Sequence, residues 1–387
     1  MAQVFLQFLL LGCVSFGGPA AHVGYFRHHF VDRLGWLDER AFAELLALCQ
    51  FLPGPASSQL GFAIGYRRQG VLGGCCAFVG FTLPSVLLML ALAAGGGWLL
   101  GQSWFESVLH GLKLLALVVV ADALWGMARS FCNGKLVAAI ALLAAMAALL
   151  LSGIVAQLVV LLLAALLGSY RLGAAAGPAV DPATAAAPGG RHRWALLLFA
   201  GLLGSAWLMP ALGFGSGVLG VAADFYQAGS LVFGGGHVVL PLLQALLGDA
   251  LTSSQFLLGY AAAQAVPGPM FTLATFLGYG LSPQASLLGA LLATMAVFLP
   301  GFLLLIAVLP DWQRWVARPA LAGAVAGVNA AVVGLLLAAL YQPVFVSAVT
   351  SGRDLALALA GLYLLRGLGV GVIALVPLAI VTGLLVL

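Results

Sequence analysis

Apolar residues run along this chain in stretches close to 20 residues long, punctuated by charged positions or by Gly and Pro. A helix of that length matches the hydrocarbon thickness of a bilayer, so the pattern predicts membrane helices rather than a soluble core. In the first half the predicted segments fall at 3–26, 38–66, 71–97, 102–128, 135–151 and 153–170. A stretch rich in Ala, Pro and Gly follows at 171–193, carries Arg171, Arg191 and Arg193, and reads as a hydrophilic connector. One further segment, 194–212, precedes a second set at 217–245, 253–280, 284–309, 319–342, 353–366 and 368–387. The expected fold class is an all-α polytopic membrane protein with about 11–13 transmembrane segments. Its expected parts are a first repeat at 1–170, a cytoplasmic linker at 171–193, an extra hydrophobic segment at 194–212 and a second repeat at 213–387.

The two sets of segments carry the same motifs in the same order. Ser15-Phe16-Gly17-Gly18-Pro19, with His22 just beyond, returns as Val232-Phe233-Gly234-Gly235-Gly236-His237. Gln50-Phe51-Leu52-Pro53-Gly54-Pro55 returns as Gln264-Ala265-Val266-Pro267-Gly268-Pro269. The offset is 217 from Phe16 to Phe233, 214 from Pro53 to Pro267, and 216 both from Pro84 to Pro300 and from Gly111 to Gly327. Four matches at one spacing indicate an internal duplication. Matched breaks in the two halves of a membrane protein point to a transport site.

Composition narrows the class further. Hydrophobic residues make up 63% and charged residues 7%, with mean hydropathy +1.15, which leaves too little polar surface for a soluble domain. A net charge of +4, dispersed along the chain, gives no footprint for nucleic acid. The start lacks a basic residue, so the first apolar stretch reads as a retained span rather than a cleaved leader. Cysteines 13, 49, 75, 76 and 132 have no metal-type spacing, and no metal or cofactor is expected. A phosphate loop is missing too, because Gly134-Lys135 is followed by leucine and has no upstream glycine partner. A membrane-embedded lipid enzyme would need clustered acid/base or ligand residues, which the sequence does not offer.

Basic residues set the expected orientation. Arg67 and Arg68 follow the first broken segment, whereas Leu281-Ser282-Pro283 at the equivalent place has none; Arg314 and Arg318 follow a later segment whose first-half counterpart is uncharged. The bias swaps sides between halves, as inverted-topology repeats require. With thirteen crossings, Arg27, Arg33 and Arg40 fall on the wrong side; they would return inside if 38–66 were a re-entrant hairpin, but 194–212 must then not cross if the inversion is to survive.

The broken segments carry the candidate chemistry. Each proline pushes its predecessor out of helical geometry, and the second proline of each Pro-Gly-Pro suits the first turn of a new helix. Half-helices should therefore restart at Pro55 and Pro269, with free N–H groups and the hydroxyls of Ser57, Ser58 and Thr272 at membrane depth. Such an amino terminus suits an anion, which makes Pro53, Gly54, Pro55, Pro267, Gly268 and Pro269 site candidates. Gly17, Gly18, Gly234 and Gly235 read as second points of irregularity or as close packing, with His22 and His237 just beyond them. Glu106, His110 and Lys113 share a helical face deep in a span, as a substrate-path charge or as a structural pair, and Asn329 takes the place of Lys113 in the second half. Arg27 lies just past the first glycine motif; Glu44, Glu106 and Asp122 are the candidate proton-coupling carboxylates.

The Ser-Phe-Gly-Gly-Pro motif with His22, Gly24-Tyr25-Phe26-Arg27 and Trp36, the two Pro-Gly-Pro breaks, and Phe-Gly-Gly-Gly-His in the second half together resemble the chromate ion transporter family, long-chain two-repeat type. The resemblance implies a carrier in the bacterial inner membrane that exports chromate using the proton-motive force and confers chromate resistance. Its implied partners are chromate or a sulfate-like dianion, protons and the lipid bilayer; a homodimer is left open, and a channel is the rival mechanism. The energetics agree: an exported dianion gains roughly 4.6 kcal/mol per 100 mV of membrane potential.

Overall fold

The computed structural model describes residues 1–16, 18–99, 103–151, 154–173, 192–210, 212–213, 215, 217–233, 239–247, 250–312 and 318–386. Among them the chain is helical and carries no strand. The first half comprises α1 (Ala2–Val14), α2 (Gly18–Phe26, continued by a π turn Arg27–Arg33), α3 (Glu39–Phe51), α4 (Ala56–Leu99), α5 (Ser103–Phe131), α6 (Lys135–Leu150) and α7 (Ile154–Arg171). After α8 (Arg193–Leu208) come α9 (Gly217–Leu231), α10 (Val239–Leu247), α11 (Ser253–Ala265), α12 (Leu273–Leu281, led by a 3-10 turn Met270–Thr272) and α13 (Ser286–Val308). The chain ends in α14 (Pro319–Ala339), α15 (Gly352–Arg366) and α16 (Val372–Val386). Four stretches, within α4, α5, α13 and α14, are long and apolar enough to cross a membrane. With the shorter apolar helices beside them, they make an all-α multi-pass membrane protein.

The segments at 3–26 and 38–66, expected to cross, instead fold back on themselves. Collinear helices would hold residues 7 and 29 about 30 Å apart at 1.5 Å per residue, yet His29 Nε2 donates to Gln7 Oε1 at 2.7 Å. Phe8 meets both Phe26 and Phe30, with ring centroids 5.6 and 4.7 Å away. Likewise Arg68, at the far end of the second segment, lies 5.0 Å over the Trp36 ring just ahead of α3. α1 and α3 each end ahead of a Gly/Pro break that lets the chain reverse, and the contacts of Gln7 with His29 and of Trp36 with Arg68 hold the reversal.

The second half repeats the device where 217–245 and 253–280 were expected to cross. α9 packs on α10 and α11 on α12, and Leu251 ahead of α11 lies against Gly280 near the end of α12. The second hairpin of each half opens with a capped helix at an equivalent position. Asp38 accepts from the Ala41 N–H at 2.7 Å, and Thr252 forms a capping box with Gln255. A cap of this kind contributes about 1 kcal/mol.

α4 is two helices, not one. Gln69 (φ −149°, ψ 31°) and Gly70 (φ 65°, ψ −156°) break it, and Gly65 packs on Gly73 so that the arms run back to back. Only the second arm, from 71 onward, carries the chain away from the hairpin ends. The basic residues sort accordingly. Arg68 meets Trp36 at the hairpin ends, Tyr66 bonds His192 ahead of α8 at 3.0 Å, and Arg40 opens α3. Arg27, which bonds Glu39 at the start of α3, therefore lies with Arg40, Arg67, Arg68 and Arg193 at the same ends of these hairpins and of α8.

Candidate substrate site

The breaks of the two halves are pinned to each other. Gly54 N–H donates to the Val232 carbonyl at 2.6 Å, and Gly268 N–H donates to the Ser15 carbonyl at 2.8 Å. Each Pro-Gly-Pro thus docks on the glycine-motif hairpin of the opposite half. Both glycines hold left-handed φ values, +121° and +100°, which non-glycine residues rarely adopt. A side chain at 54 would meet Gly301 and Gln59; one at 268 would meet Ser85 and the Phe81 carbonyl. Ser85 and Gly301 are themselves equivalent at offset 216. The amide of Gln59 completes the clamp by donating to Pro53 O at 2.9 Å and Gly301 O at 3.1 Å.

At the first break the new helix begins at Ala56, one residue after the expected Pro55. Gln59 N–H makes its first bond, to the Pro55 carbonyl, so the N–H groups of Ala56, Ser57 and Ser58 are the free donors of the turn. His22 is fully buried beside them. Its Nε2–H donates to the Ser15 carbonyl at 3.2 Å, a contact that fixes the tautomer, and Nδ1 then accepts from Ser57 Oγ at 3.3 Å. The Phe81 ring meets the imidazole edge-on at 5.2 Å. Around this group Ser15 Oγ, Ser58 Oγ, Thr82 Oγ1 and Gln59 Oε1 are buried and make no hydrogen bond. A buried hydroxyl without a partner costs of order 1–3 kcal/mol, so Ser15, Ser58 and Thr82 each carry a donor that an acceptor oxygen would satisfy.

The second break is more self-satisfied. Thr272 Oγ1 donates to the Pro269 carbonyl at 2.9 Å, and Gln264 Nε2 contacts Met270 Sδ at 2.7 Å. Met270, Phe271 and Thr272 are all buried. Gly18 opens α2 at φ +76°; Gly17, Gly234, Gly235 and His237 lie outside the described residues.

The charged candidates stand away from the breaks. Arg27 is held by Glu39 at 2.8 Å and Asp32 at 3.4 Å, half-exposed. Glu44 pairs with Arg40 at 3.3 Å and Asp122 with Arg366 at 3.0 Å, both partly exposed. Glu106 is exposed, and of its expected face His110 turns to Asp354 of α15 at 3.1 Å. Lys113 is half-buried on α5, which packs on α14; there Asn329 is buried with an unbonded Oδ1.

Sequence reading missed Ser15 and Thr82 as donors, Gln59 as the clamp, and Asp224. Asp224 is half-buried on α9 and pairs with nothing among the described residues. Its signal was a lone carboxylate inside an apolar stretch.

A profile described as "Chromate transporter" matches residues 2–169 and 219–385, both halves in turn. The chain belongs to that family. It is similar to the chromate transport protein of Cupriavidus metallidurans, 30% identical over 349 residues that cover 88% of this chain and 81% of the relative. The chromate transport protein of Pseudomonas aeruginosa is 31% identical over 351 residues, covering 86% and 79%. A probable chromate transport protein of Synechococcus elongatus is 30% identical over 357 residues, covering 88% and 83%. No solved structure matches.

Proposed function

We propose that this chromate transporter family member exports chromate from the cytoplasm across a bacterial inner membrane. The observation that carries the reading is the trio of buried, unbonded hydroxyls, Ser15, Ser58 and Thr82, beside the free N–H groups of Ala56–Ser58. Hydrogen-bond donors without a fixed cation suit a tetrahedral oxyanion that must also leave. A lysine in direct contact would hold a dianion far more tightly. The electrical part of the proton-motive force then drives the step, at roughly 4.6 kcal/mol per 100 mV for a dianion. His22, the ionisable group in contact with the donor turn, takes the proton-linked role in place of Glu44, Glu106 and Asp122, which are engaged or exposed elsewhere.

In this reading the hairpins of the first half enter from the cytoplasm. The second arm of α4, then α5, α6 and α7, cross four times; α8 crosses once; α13 to α16 cross four times. The first five of these nine crossings leave the hairpins of the second half entering from outside, so the repeats are inverted. Arg129, Lys135, Arg171, Arg318 and Arg366 then join the other arginines on the cytoplasmic face, against Arg353 alone outside.

Inverted vesicles with an imposed membrane potential test the function, with chromate uptake competed by sulfate, molybdate and phosphate. Saturable chromate uptake with counterflow is expected. Uptake that never saturates would make the protein a channel, and none at all would remove the chromate reading.

A further inference from the structure

A cavity of about 610 Å³ lies between α7, α10 and α14, lined by Gln157, Gln244 and Gln342 together with Leu149, Pro241 and Ala338. None of its lining residues is charged. It sits where α6 and α14 end, away from the basic face. Its volume would hold roughly 20 waters at about 30 Å³ each, room for a hydrated oxyanion. The three glutamines supply amide N–H donors, and Gln157 Nε2 spends its own only on a long 3.4 Å contact with the Pro241 carbonyl.

The equivalent place in the first half is bridged by charge. Taking the 216-residue offset, Ala338 corresponds to Asp122, Tyr341 to Trp125 and Leu150 to Arg366. There Arg366 Nη1 donates to Asp122 Oδ1 at 3.0 Å, and the guanidinium stacks 5.0 Å over Trp125. An ion pair and an indole bridge α5 to α15 there, whereas α14 and α6, packed together through Gly334 and Ala141, border the cavity at their ends without such a pair. Two equivalent positions at opposite ends, one open and one bridged, are what alternating access between inverted halves requires.

We infer that the cavity is an outer vestibule for the tetrahedral oxyanion, and that the Asp122–Arg366 pair with Trp125 is the inner gate holding this outward-open form. The inference rests on the carrier reading above. It also gives Asp122 a purpose other than carrying a proton.

The test places Gln244→Cys, a half-buried lining residue, in a background without the native cysteines and labels it with a membrane-impermeant maleimide from the outer face. Labelling is expected, slowed by chromate. An exposed ion pair is worth up to about 1 kcal/mol, so Asp122→Asn or Arg366→Gln should lower the labelling rate by roughly 2–5-fold as the population shifts inward. The exchanged pair Asp122→Arg with Arg366→Asp should restore it, which separates gating from damage to folding. Labelling absent from the outer face, or indifferent to chromate, overturns the vestibule. Rates unchanged in both gate variants, or not restored by the exchange, overturn the gate. Vesicles of the parent protein that take up no chromate would instead sink the carrier reading, whatever the labelling shows.

Discussion

Ser15, Ser58 and Thr82 have nothing to bond, a state that among the described buried hydroxyls they share with Ser282 at the end of α12. Thr272 donates to its own turn and Ser85 to the Thr82 carbonyl, whereas these three wait unpaired in the interior. Losing one charge-assisted hydrogen bond in a dry site costs about 1.5–3 kcal/mol, roughly 10- to 150-fold in affinity. Ser15→Ala and Ser58→Ala should therefore each raise the half-saturating chromate concentration by at least tenfold in vesicle uptake. Thr272→Ala should change it less than threefold, because its hydroxyl is already spent. Equal effects at all three positions would mean that the second break contributes as much as the first. The sequence made Ser57 and Ser58 legible through their place after Pro-Gly-Pro, but Ser15 and Thr82 lie 43 and 24 residues from Ser58. Only the packing of α1 and α4 brings such separated donors together. Gly54→Leu puts a side chain against Gly301 and Gln59 and needs an unfavourable φ. It is expected to lower the amount of folded protein in detergent extracts rather than to block transport selectively.

At the scale of elements, the breaks were readable and the reversals were not. Pro-Gly-Pro and Phe-Gly-Gly mark where a helix must stop, because proline removes a donor and glycine relaxes φ. Whether the next piece continues across the bilayer or returns depends on contacts such as Gln7–His29 and Trp36–Arg68, which local pattern does not encode. The early arginines were the clue in the sequence, since they fit the basic face once the second segment turns back. Single cysteines at Gln69 and Leu34, in a cysteine-free protein, should thus be labelled from the cytoplasmic face. One at Ser282 should be labelled from the outer face once Ser282→Cys is made accessible by urea, as Ser282 is buried in the native fold. Labelling of positions 34 and 69 from opposite faces would restore a crossing second segment and remove the hairpin.

The whole molecule is held together by exchange between its halves. α16 of the second half packs on α5 of the first, with Gly111 against Ala379 and Gly383; α7 of the first half packs on α14 of the second, with Ala164 and Gly168 against Gly327. Glycine and alanine at these crossings let the backbones approach closely, which drives helix association in lipid, where no hydrophobic gain is available between helices. The same exchange recurs at the centre, where each Pro-Gly-Pro bonds the other half's hairpin. Neither half can therefore complete its own helix grooves, even though each reads in sequence as a self-contained repeat. A protease site placed within 174–191 should be cleavable without releasing the halves. The two fragments should copurify in mild detergent and keep vesicle chromate uptake within about twofold of the uncut protein. The first half expressed alone should fail to accumulate in the membrane, because the faces of α5 and α7 that meet the other half would be exposed. Gly327→Leu in the cut protein should separate the fragments by forcing α14 off α7. Fragments that part freely after cleavage of the unaltered chain would show that the linker, and not the exchanged helices, keeps the transporter whole.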